Sequence, residues 1–421
     1  MRSLHPIVRR CVLSTLACGA FLGVASVLRA QDAHPLRTHV QVVVHETGVT
    51  TTPFVRTATV DEGGERWPET AVARQGGTLY LAIRGAGVMV LDGAAPVRWL
   101  VDRSGARELS GDLGWIGDTL AVSDWNSWRL FGAGGKPLGC RTFEAAHNEF
   151  ATQVFPLRPL AGGLVVGELT PAYPGRIGKE LVVSRDQDVR RTLYRAPPEP
   201  PDIEVPDPDS SAVSEVRPPL DADTIWSAAT NGSGVAVVEQ LSPRMGGTYD
   251  VSVLRMAMDG STVFRTRVRV PVLPASQAWV ERQYAGEVRA INGHSTIVRD
   301  SAAIVSEFRR HAPYPPYHPP VTDVLAGDDG SVWLRLASES DLVTWIALGR
   351  DGRERGRAAV PSDFFPSFAD ESGMWGARRT APDRLEVLVV TAGAPPLGQP
   401  RIVEAEHHTP RQITLQPCRQ G

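Results

Sequence analysis

Apolar residues fall at every second position in short runs, and glycine, aspartate or asparagine bounds each run. The clearest case is Gly117 to Gly139, GDTLAVSDWNSWRLFGAGGKPLG: a Gly-Asp turn, the strand TLAVSD, a polar turn, the strand WRLF and a Gly-rich turn. This pattern predicts an antiparallel hairpin with strands only a few residues long. The phrase returns with altered letters from Gly76, Ala161, Asn231, Gly327 and Asp370. The first three starts and the last two lie about forty to forty-five residues apart, the length of one propeller blade. The predicted fold class is therefore all-β: a six-bladed β-propeller of four-stranded antiparallel blades, with a small helical insert. A seventh, divergent blade near the N-terminus is the rival. One small sheet cannot bury both of its faces, but blades packed around an axis bury one another. Closure would protect the end strands, and Thr38–Val44 pairing with QITLQP near the C-terminus is the expected clasp.

Two gaps between starts are longer, and each holds an insertion. Residues 196–223, APPEPPDIEVPDPDSSAVSEVRPPLDAD, are rich in proline and acid and are expected to form a solvated loop. Asp207 and Asp209 do not make a calcium loop, because the turn glycine and the terminal glutamate are missing. In residues 274–320, Trp279, Tyr284, Val288 and Ile291 recur at helical spacing, as do Ile297, Ala302, Val305 and Phe308. One or two amphipathic helices are expected there, ending at the proline-rich tail HAPYPPYHPP.

Residues 1–30 change the picture of location. Arg2, Arg9 and Arg10 precede the apolar run Cys11–Leu28, and LRA before Gln31 suits a cleavage site. A signal peptide is expected over 1–30 and a single propeller domain over 31–421, in a periplasmic or secreted protein with no membrane span after cleavage. A retained anchor helix is the alternative. Cleavage removes four arginines and no acid, leaving 40 basic against 47 acidic residues, a net −7. That balance argues against nucleic acid as a partner. Cys140 and Cys418 are the cysteines beyond the apolar run, and export makes a disulfide between them chemically possible.

No reaction is spelled out in the motifs. There is no HExxH, paired CxxC or GxSxG, and the glycine pairs precede strands rather than helices. His407 and His408 are adjacent and so alternate across a strand, and Cys140 has no histidine placed to activate it. No cofactor and no metal residue is assigned. The hairpin at 117–139 resembles the NHL-type repeat through Asp124, Asn126, Arg129, Phe131 and Gly135. No other copy keeps the Asp-x-Asn-x-x-Arg set, so the resemblance is to a divergent member. Taken whole, the chain resembles exported bacterial six-bladed β-propeller proteins, which implies a fold rather than a chemistry. A binding role toward an unknown protein or small molecule, in a monomer, is the expected function. The alternative is a lactonase-like hydrolase with an axial metal. The candidate binding residues are Trp125 and Trp128 beside the turn, and Arg309, Arg310, His311, Tyr314 and Tyr317 after the insert helices.

Overall fold

The computed structural model describes residues 39–44, 50–56, 70–75, 78–83, 87–92, 98–101, 113–124, 127–132, 135–143, 153–170, 178–198, 203–206, 213–216, 224–244, 247–293, 301–311, 313–381, 384–390 and 401–406. The expected signal segment, Trp125, Asn126 and Cys418 lie outside these. An N-terminal hairpin, β1 (His39–Val44) and β2 (Thr50–Arg56), is followed by four-stranded antiparallel sheets. The first is β3–β6 (Thr70–Gln75, Thr78–Ile83, Gly87–Asp92, Arg98–Val101), the second β7–β10 (Leu113–Ile116, Thr119–Asp124, Ser127–Phe131, Pro137–Thr142). The third is β11–β14 (Gln153–Pro159, Val165–Thr170, Glu180–Arg185, Asp188–Arg195), after which β15 (Ile203–Pro206) and β16 (Val213–Val216) pair with each other. Two more four-stranded sheets are β17–β20 (Ile225–Ala228, Gly234–Arg244, Thr248–Ala257, Thr262–Pro271) and β21–β24 (Val321–Ala326, Val332–Leu336, Leu342–Leu348, Glu354–Pro361). Finally β25 (Phe365–Asp370), β26 (Gly373–Ala381), β27 (Arg384–Val390) and β28 (Arg401–Glu406) join the N-terminal hairpin in a sheet of order β25-β26-β27-β2-β1-β28.

The first strands of these sheets meet one another: β3 touches β7, β7 touches β11, β17 touches β21, β21 touches β25, and β25 touches β3. Between the third sheet and β17–β20, Val166, Leu181 and Val183 pack with Val235, Val237 and Leu254. The chain is an all-β propeller of four-stranded antiparallel blades. The core lies between blades rather than inside one, as alternation in β22 and β23 shows. Val332, Leu334, Ile346 and Leu348 pack toward the preceding sheet, whereas Trp333, Val343, Trp345 and Ala347 pack toward the following one. Because both faces are covered here, β22 (VWLRL) and β23 (LVTWIAL) carry apolar residues at consecutive positions. Gly330, at φ 98°, supplies the left-handed turn residue that lets GDDGS reverse the chain between β21 and β22.

The N-terminal clasp differs from the expected one. β1 pairs with β28, from His39↔Glu406 to Val44↔Arg401, and not with the QITLQP segment, which lies outside the described residues. The reason is β2, which takes the place beside β27 from Thr50↔Val389 to Val55↔Arg384 and carries β1 outward with it. The Pro/acid-rich segment is also not loop throughout. Ile203 pairs with Val216 and Val205 with Ser214, so β-branched residues at alternate positions form a short hairpin.

The second insertion forms two helices, α1 (Gln277–Gly293) and α2 (Ser301–His311). Tyr284, Val288, Ile304 and Phe308 are buried between them, with Val280, Val305 and Tyr314 packed alongside. Ser276 is the N-cap of α1, its Oγ accepting the Trp279 N–H at 3.1 Å. Arg309, Arg310 and His311 occupy the last turn of α2, where positive charge complements the helix dipole. Among the described residues no helix is long and apolar enough to cross a membrane.

Candidate functional site

Antiparallel order gives the ring two chemically different faces. Turns joining first to second strands and third to fourth strands lie on one face, the turn face. Second-to-third loops and sheet-to-sheet connections lie on the other, the connection face. Both insertions are sheet-to-sheet connections flanking β17–β20, so both rise from the connection face. They also meet, because α2 lies against β15. The strands β18, β19 and β20 between them are 11, 10 and 10 residues long.

One carboxylate fastens the helical insertion at its base. The two stems pair: Ala275 N–H donates to Pro316 O and His318 N–H to Leu273 O, both at 2.9 Å. Glu339, on the loop between β22 and β23, reaches both stems from below. Its Oε1 accepts the Ser276 N–H at 2.8 Å and lies 2.7 Å from His318 Nε2, while its Oε2 accepts the Ser276 hydroxyl. Burial pushes this carboxyl up, but hydrogen bonds from Ser276 and His318 outweigh that and hold it at about 2. His318 is 4% exposed and stacks edge-on against Trp279 at 4.4 Å.

The residues singled out from sequence divide accordingly. Arg309 is ion-paired with Glu281 and lies 5.6 Å above the Tyr284 ring; Arg310 and His311 both approach Glu307, at 2.7 and 3.3 Å. Tyr314 is an internal spacer, edge-on to Trp279 at 5.6 Å and Tyr284 at 5.0 Å. Tyr317 forms a β-bridge with Pro274 and remains 42% exposed. Arg309, Arg310, His311, Tyr314 and Tyr317 are thus gathered on one insertion, with their charges largely matched. Trp128 is elsewhere, in β9, and only 4% exposed. Arg129 is buried too. Cys140, on the outermost strand β10, is disulfide-bonded.

The turn face is a belt of bonds between successive turns. The Thr230 hydroxyl donates to Asp328 Oδ2 at 2.7 Å, and the Asn231 and Glu371 backbone N–H groups donate to Asp328 Oδ1 and Asp329 Oδ2. Arg255, 2% exposed, donates to Ser233 Oγ and Gly327 O at 3.2 Å; burial lowers its pKa to about 10. Among the described residues no three His, Cys, Asp or Glu side chains are grouped to hold a metal ion. A recess of about 240 Å³ sits on the flank of the β17–β20 sheet, lined by Glu239, Ser252, Arg265, Thr266 and Arg267. Arg265 lies 3.4 Å from Glu239, whose Oε1 also accepts the Tyr194 hydroxyl at 2.8 Å. Glu339 carried no signal in the sequence, since its partner Ser276 is 63 positions away.

No protein-family model matches the chain, and no curated protein does. Among solved structures, one described as the crystal structure of the eukaryotic initiation factor is similar at 7% identity, covering 88% of this chain and 98% of its own, with a TM-score of 0.29. The AfRom2 CNH domain is similar at 8% identity over 83% of this chain and 98% of its own, TM-score 0.31. The WD40 domain of SCAP from fission yeast is similar at 8% identity over 87% and 90%, TM-score 0.28. The propeller assignment rests on the sheets of this chain and the contacts between their first strands, not on these likenesses.

Proposed function

We propose that this chain is an exported binding protein: a monomeric six-bladed β-propeller with divergent NHL-type repeats that engages a partner through its connection face. The observation that carries the reading is the meeting of two non-repeating insertions on that face, one of them clamped at both stems by Glu339. The ring closes without these insertions, so they are additions to the scaffold rather than parts of it. Loops held on a rigid scaffold are where recognition concentrates. Export is supported by the basic and apolar segments of residues 1–30, and places the mature N-terminus at Gln31. Cys418 is the proposed partner of Cys140, which would tie the C-terminal tail to the outer strand β10.

Because residues 275 and 316 are hydrogen-bonded neighbours, the helical insertion can be replaced by a short glycine linker without stretching the ring. Capture from a cell-envelope fraction should succeed with the full mature chain and fail with the excised one, while far-UV circular dichroism still reports the β scaffold. Equal capture by both proteins would refute the reading.

A further inference from the structure

The face that β18–β20 turns toward the third sheet changes from apolar to polar partway along the strands. Val235, Val237 and Leu254 pack on Val166, Leu181 and Val183. Because side chains alternate across a strand, the next positions on that same face are Glu239 in β18 and Ser252 in β19, with Arg265 and Arg267 beside them in β20. The register sets three of these in one row: Glu239 lies directly opposite Ser252, and Ser252 directly opposite Arg267. Opposed side chains on neighbouring strands start about 5 Å apart. A carboxylate, a hydroxyl and a guanidinium are therefore aligned, and with Arg265 they line the recess of about 240 Å³.

The row is incompletely paired. β20 carries arginine at every second position from 265 to 269, about 7 Å apart along the strand. Arg269 lies 3.5 Å from Asp250 and Arg265 lies 3.4 Å from Glu239. Arg267, between them, is opposite a serine, and its guanidinium has no ion pair or hydrogen bond among the described residues. Ser252 is only 6% exposed, yet among the described residues its hydroxyl has no hydrogen-bond partner, and the residue lines the recess. Glu239 is committed through one oxygen, since Oε1 accepts from both the Tyr194 hydroxyl and Arg265. Its Oε2 accepts no hydrogen bond among the described residues. A buried hydroxyl left unbonded is costly, and an arginine flanked by two like charges gains strongly from an oxyanion.

We propose that this recess binds a small carboxylate that carries a hydrogen-bond donor, hydroxyl or ammonium, a few bonds from its acid group. Arg267 forks onto the ligand carboxylate, the Ser252 hydroxyl donates to it, and Arg265 adds positive charge. Glu239 Oε2, at the other end of the row, accepts from the ligand's own donor. The volume is below the ~300–1,000 Å³ that encloses drug-sized ligands, so it suits a molecule of monosaccharide or amino-acid size. All of these residues belong to β18–β20, so the site is separate from both insertions.

The test uses the full mature protein at neutral pH, followed by calorimetry or ligand-observed NMR. D-glucuronate supplies a carboxylate with hydroxyls, and 4-aminobutyrate a carboxylate with an ammonium; whichever binds more tightly identifies the donor. D-glucose lacks the acid and propionate lacks the donor, so both are expected to bind about tenfold or more weakly than the better of the two acids. Arg267→Gln should weaken that acid about tenfold or more, the loss of a charge-assisted contact. Ser252→Ala should weaken it about three- to tenfold. Both variants should melt as the parent does, since neither side chain has a partner within the described protein to lose. Arg269→Gln, whose partner is Asp250 and which does not line the recess, should leave affinity unchanged. Glucose or propionate binding as tightly as the better acid, unchanged affinity in Arg267→Gln, equal losses in Arg267→Gln and Arg269→Gln, or no binding of either acid at millimolar concentration would overturn the site. Excising the helical insertion leaves acid binding in place, so this inference and the partner-capture reading fail separately.

Discussion

Glu339 shows how one residue converts an inserted segment into an ordered element. Its carboxylate satisfies the N-cap of α1 and the opposite stem at once, so charge and geometry act together. Glu339→Gln keeps the shape and removes the charge. Hydrogen-exchange protection across 275–317 should fall by an amount equivalent to about 1–3 kcal/mol, while the blades exchange as before. Unaltered exchange in the insertion would show the clamp to be idle. The pH dependence has a definite sign. A carboxyl held below its ordinary value stabilises the docked insertion fully above that value, and the stabilisation drains away as pH falls toward about 2. Loss of insertion protection on acidification from about pH 5 to pH 2, absent in Glu339→Gln, is the expected outcome. In the core, Trp333 is fully buried with its indole N–H donating to Asp370 O at 3.2 Å. Trp333→Ala should cost about 3–5 kcal/mol in a denaturant titration, through the cavity between two blades.

At the scale of elements, the hairpins were legible because each carries its own signal: TLAVSD and SWRLF fall on β8 and β9, bounded by the Gly-Asp turn and Gly132. The insert helices were legible for the same reason, since Tyr284, Val288 and Phe308 repeat at helical spacing and are buried between α1 and α2, with Val305 packed alongside. Pairings across long sequence distances were not legible. Nothing in Thr50–Arg56 announces that it will lie beside Arg384–Val390, and nothing in ASESD announces a clamp. The candidate residues after α2 were visible as a composition, but their ion pairs with Glu281 and Glu307 became visible only in three dimensions. The clasp also makes a prediction. A chain beginning after β2 exposes the edge of β27 to pairing with other chains, so it should melt lower than the parent and associate in size-exclusion chromatography. A monomer of unchanged melting temperature would contradict β2 as a closing strand.

At the scale of the described sheets, the turn face is bonded from one sheet to the next and the connection face carries the insertions. The turn face is occupied by bonds between Thr230, Asn231, Asp328, Asp329 and Glu371, which leave those groups committed to closure. The connection face carries both insertions and the Glu339 clamp. Peptide mapping without reductant should recover Cys140 in a cross-linked peptide, with Cys418 as its expected partner; a free Cys140 thiol in the denatured protein would remove that tie. The most direct measurement of the whole scheme is a hydrogen-exchange comparison of the mature chain alone and with its captured partner. The expected result is new protection in 203–216 and 275–317 on the connection face. New protection confined to the turns at 230–233, 327–331 and 371–372, with both insertions unchanged, would contradict it.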